Sequence, residues 1–88
     1  MALFTFVLEF AGGTYISQLH ARSPRLAVTL YASRLVRDQA ILTPSLRKRL
    51  ADAFLQEHPV ALEGVRNVWC CSTSVARKFA LLSIVATA

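Results

Sequence analysis

LFTFVLEFAGGTYISQLHA, residues Leu3–Ala21, has the pattern of a β-hairpin. Two runs rich in β-branched and aromatic residues flank Gly12-Gly13, a dipeptide that accepts the positive φ angles of a tight turn. Along the first run Phe4, Phe6, Leu8 and Phe10 recur at the strand period of two and so share one face. That face is too apolar to stay in water, and the remainder of the chain reads as its cover.

A helix start follows directly. Ser23 can cap free N–H groups, and Pro24 takes the first helical position, where its missing donor costs nothing. From Pro24 to about Arg37, Leu26, Ala27, Leu30, Tyr31, Leu35 and Val36 fall on one broad side. Asp38–Leu42 reads as a connector. Thr43-Pro44 then repeats the cap-and-proline signal, and a shared capping motif explains the match without an internal repeat. The second helix, Pro44 to about Glu57, carries Leu46, Leu50, Ala53 and Phe54 on one side. His58-Pro59 ends it, because a residue before proline is pushed out of helical geometry.

Val60–Gly64 has the character of a loop, Val65–Ser72 (VRNVWCCS) that of a strand, and Thr73–Lys78 that of a polar turn. Phe79–Ala86 (FALLSIVA) is apolar at nearly every position, the mark of a strand in the middle of a sheet. These elements predict one α+β domain over residues 1–88, ordered ββααββ, with a four-stranded, largely antiparallel sheet and two helices on one face. The first and last strands are expected to be neighbours. The face bearing Leu3 and Val7 is then left without a cover, and a second copy of the chain is the simplest one.

Composition agrees with that expectation. Of 88 residues 55% are hydrophobic, and mean hydropathy is +0.45, more apolar area than one small core hides. The longest apolar runs, Met1–Leu8 and Phe79–Ala88, fall well short of the ~20 residues that span a bilayer. No basic leader precedes a long apolar stretch, so the chain reads as cytoplasmic, with no membrane partner. Ten Lys and Arg against five Asp and Glu give a net charge of +5, which favours an acidic protein surface or nucleic acid as a partner. Arg34 and Arg37 on the first helix, with Arg47, Lys48 and Arg49 on the second, are the candidate anion contacts. The bland alternative is a solvated basic surface.

No reaction chemistry stands out. Glu9, Asp38, Asp52, Glu57 and Glu63 are scattered, and no nucleophile–base set can be named, so no catalytic residue, cofactor or metal is expected. Cys70 and Cys71 are adjacent on a strand and point to opposite faces, which suits neither a shared metal nor a disulfide. They read as structural thiols. Tyr15 and Trp69 are the candidate contact residues at a dimer or partner surface, being of the types enriched at interface centres. The order of hairpin and Ser-Pro helix, over Phe4 to Leu35, resembles the opening of HicB-type antitoxins, with Arg25 where those proteins carry acidic residues. That resemblance implies an antitoxin-like regulatory role as the alternative. The leading expectation is a small non-catalytic protein that acts by self-association or by binding another protein.

Overall fold

A computed structural model describes residues 1–38 and 42–87. The chain runs β1 (Ala2–Phe10), β2 (Gly13–Ala21), α1 (Pro24–Arg37), α2 (Pro44–Leu55), β3 (Val60–Ala61), β4 (Val68–Val75) and β5 (Lys78–Ala86). The sheet is antiparallel, in the order β2-β1-β5-β4-β3, so the first and last long strands are neighbours as expected. The strand count is corrected from four to five. Val60–Ala61, expected as loop, pairs with Cys70 and Trp69 and forms a two-residue edge. The strand expected at Val65–Ser72 begins later and runs on through Thr73 and Ser74, so the turn shrinks to Ala76-Arg77. The connector expected at Asp38–Leu42 falls largely on Gln39, Ala40 and Ile41, which lie outside the described residues.

Both helices begin as their sequences dictate. Ser23 Oγ accepts from the Leu26 amide at 3.2 Å and Thr43 Oγ1 from the Leu46 amide at 3.3 Å. The buried stripe of α1 is Ala27, Val28, Tyr31, Ala32 and Leu35, while Leu26, Leu30 and Val36 of the expected side stay exposed. Alanines at two of the five buried positions let the helix approach closely. On α2 the buried set is Arg47, Leu50, Ala51 and Phe54. The helices pack on each other and on one face of the sheet, α1 against β2 and α2 against β4.

That face is the core. Phe4, Phe6, Leu8 and Phe10 are all buried, as are Ala80, Leu82 and Ile84 beside them on β5. Phe6 stacks on Tyr31 with ring centroids 4.6 Å apart, and Phe4 tilts against Trp69 at 6.0 Å.

The first hairpin turns at Ala11-Gly12, one residue earlier than the Gly-Gly pair suggests, and Gly13 pairs with Phe10 as the first residue of β2. Ala11 has φ 51° and Gly12 φ 79°; at the second hairpin Ala76 has φ 53° and Arg77 φ 64°. Two consecutive positive φ angles are what a type I′ turn requires, and L-residues with a Cβ adopt them at a cost of roughly 1–2 kcal/mol each. The double variant Ala76→Asn, Arg77→Gly is therefore expected to stabilise the fold by about 1–2 kcal/mol. In urea the midpoint should rise with the slope unchanged; an unchanged or lower midpoint contradicts the turn assignment.

Candidate functional site

The helices cover one face of the sheet and leave the other bare. Alternation puts Leu3, Thr5, Val7 and Glu9 of β1 on the bare side, with Thr14, Ile16, Gln18 and His20 opposite them on β2. Phe79, Leu81, Ser83 and Val85 of β5 lie on the same side, followed by Val68, Cys70, Ser72 and Ser74 of β4. Ile16 is 68% exposed and Phe79 62%. Side chains this apolar and this exposed on one face of a sheet are normally covered.

At one end of this face the polar groups pair with one another. Gln18 Nε2 donates to Thr5 Oγ1 at 2.9 Å, and Thr5 and Thr87 hydroxyls meet at 3.1 Å. Thr87 Oγ1 in turn donates to the Leu3 carbonyl at 3.0 Å. Groups already paired lose little when water is removed, so covering this end of the sheet carries a smaller desolvation cost than its composition suggests.

Charge is segregated to the other side. Arg25, Arg34, Arg37, Arg47, Lys48 and Arg49, six of the ten basic residues, belong to the two helices. None of the ten is on the bare sheet face, where Glu9 is the one formally charged strand residue at neutral pH. The five expected anion contacts do not act alike, however. Arg47 is buried, and its Nη1 donates to the carbonyl of Leu42 at 3.0 Å, tying down a residue held at φ 57°. Lys48 forms an exposed ion pair with Asp52 at 3.3 Å. Arg34 Nη1 donates to the Gln18 carbonyl at 2.8 Å. With Arg37 and Asp38 it borders an open groove floored by Leu19 and Leu30. Arg37 and Arg49 are exposed on α1 and α2.

Tyr15 and Trp69 both lie on the helix-covered side. Tyr15 pairs with Leu8, and its ring lies so close over Gly13 that an added Cβ there would meet the hydroxyl at 2.6 Å. Trp69, half-buried, packs on Phe4 and pairs with Ile84. Neither belongs to the bare face.

Cys70 and Cys71 point to opposite sides, as their spacing predicts. Cys70 is half-buried on the bare face and Cys71 buried beneath the helices; both are free thiols. Burial, with smaller contributions from Cys70 and Glu57, pushes the Cys71 thiol up to about 11. Iodoacetamide at pH 8 is therefore expected to modify Cys70 well before Cys71, since the thiolate is the reacting form. Peptide mass mapping after a time course reads this, and faster loss of Cys71 contradicts it. The unfolded chain releases that proton first, near pH 9, so the stability held by the neutral thiol is intact below pH 9. It falls as pH rises toward 11.

Among the described residues no three His, Cys, Asp or Glu side chains gather as a metal site would need, and no helix is long and apolar enough to cross a membrane. Comparisons with protein-family models, curated proteins and solved structures give no match.

Proposed function

We propose that this is a non-catalytic protein that acts by association through the bare sheet face. The observation that carries the reading is the opposition of the two sides of one sheet: a complete aromatic core under the helices, and Val7, Ile16, Phe79 and Leu81 uncovered on the reverse. The sequence itself offers no nucleophile–base set or carboxylate pair that would favour a reaction site instead. Two unbridged thiols suit a reducing compartment, and the cytoplasm is the location that goes with this reading. Light scattering on the eluting peak of a sizing column tests it. At micromolar concentration a mass of 9.7 kDa, with no partner retained on the immobilised protein, overturns the proposal.

A second reading rests on the segregation of charge. Arg34, Arg37, Lys48 and Arg49 on the outer side of the helices could hold an acidic protein or a nucleic acid, as an antitoxin-like regulator would. Phosphate contacts make affinity fall steeply with salt. Titration with duplex DNA and structured RNA at two salt concentrations decides it, and absent or salt-insensitive binding rejects it.

A further inference from the structure

Resting on the association reading, we propose that the partner of the bare sheet face is a second copy of this chain, docked with its twofold axis along β5. Three observations point there. A protomer of charge +5 repels its own copy wherever arginines meet, and the bare face is the one side of the sheet that carries no Lys or Arg. Two copies approaching by this face keep the basic helices outward, away from each other.

Size fits as well. Four long strands about 4.8 Å apart, eight or nine residues each at about 3.3 Å per residue, make a face on the order of 500 Å² in projection, which the two-residue β3 extends slightly at one edge. Side-chain relief brings that toward the ~800 Å² per partner of a standard stable interface.

The third observation is the symmetry of the rows. β5 is the middle strand, and each row across it reads outward to both sides: Thr5–Val85–Val68, Val7–Ser83–Cys70 and Glu9–Leu81–Ser72. A twofold along β5 exchanges the outer members of every row. Thr5 then lies over the partner's Val68, Val7 over the partner's Cys70, and the Glu9 carboxylate over the partner's Ser72 hydroxyl. Val7 and Cys70 cover each other, the Thr5 hydroxyl keeps its bonds to Gln18 and Thr87, and the single charge meets a donor. Phe79, at one end of the axis, meets its own copy. Sheets packed in this way cross at about −30°, which the strand twist supplies. A twofold across the strands instead sets Cys70 against its own copy and leaves Phe79 over the polar Thr87 end of β5.

The test uses Phe79→Cys in a Cys70→Ser background, treated with a short bis-maleimide at micromolar protein, beside the unaltered chain. The expected result is a covalent dimer from the variant and none from the unaltered chain, whose Cys70 faces Val7. Cross-linking through native Cys70 but not through Phe79→Cys overturns the axis while leaving association standing. A dimer that neither thiol joins overturns the choice of face, and a monomer in both overturns the second copy as the occupant while leaving association with a different protein to the retention experiment. Charge variants give an independent readout of the same rows. Ser72→Glu, at an exposed position, is expected to weaken the dimer about tenfold by facing Glu9, and adding Glu9→Lys restores it. Loss without rescue rejects the axis.

Discussion

Phe6→Ala is expected to lower unfolding free energy by about 4 kcal/mol, in the range that large-to-small changes at aromatic core positions show. Phe6 is fully buried at the centre of the sheet, between Ser17 and Ile84 in register, and its ring is stacked on Tyr31. Truncation removes the transfer term of the ring and leaves a void that Tyr31 can fill only by leaving its own place between helix and sheet. For a domain of this length the total is on the order of 0.05–0.15 kcal/mol per residue, so the loss is a third of the stability or more. The melting midpoint should drop by roughly 20 °C. Phe79→Ala supplies the internal control. It removes the same ring from the neighbouring strand, but from the bare face at 62% exposure, and should change monomer stability by less than about 0.5 kcal/mol. Equal losses at the two positions would mean that the two faces are not distinguished as described.

That contrast between faces was already legible in the sequence, for a geometrical reason. Alternation of Phe4, Phe6, Leu8 and Phe10 assigns sides however the hairpin is closed. Moving the turn from Gly12-Gly13 to Ala11-Gly12 shifts every cross-strand pair by two residues, and a shift of two keeps each side chain on its face. The turn sits one residue earlier than the Gly-Gly pair suggests because Gly13 accepts positive φ but is needed as strand, where its missing Cβ makes room for the Tyr15 ring. Val68–Val75 ran on past its expected end because the Ser72–Ser74 segment alternates toward solvent on a sheet with one bare face, where hydroxyls are at home. Arg47 differs for another reason: its residue type suggests an anion contact, while its guanidinium is buried and donates to the carbonyl of Leu42, five residues earlier in the connection that precedes α2. Tyr15 and Trp69 are of the types enriched at interfaces, and type does not say which side of a sheet a residue serves.

A lysine in place of Ser83 is expected to abolish the dimer and leave the monomer folded, and its force lies in that separation. Ser83 is half-buried at the middle of β5, between Val7 and Cys70, and no polar atom depends on its hydroxyl among the hydrogen bonds described. In an isolated protomer Ser83→Lys extends from an uncovered surface into water, so the stability change should stay within about 0.5 kcal/mol. On a twofold along β5 the residue meets its own image, so one substitution introduces two ammonium groups that face each other and lose their water together. Close like charges at a covered interface cost several kcal/mol. Dimer affinity should therefore fall by 100-fold or more, since each tenfold is about 1.4 kcal/mol. Sedimentation equilibrium at low and high salt, paired with urea denaturation of the same sample, reads both quantities. A variant that unfolds as it dissociates would put Ser83 in the core, and one that remains a dimer would move the interface off this face. Dissociation with the unfolding curve of the monomer unchanged is the result that follows from a face shaped for contact with a second chain.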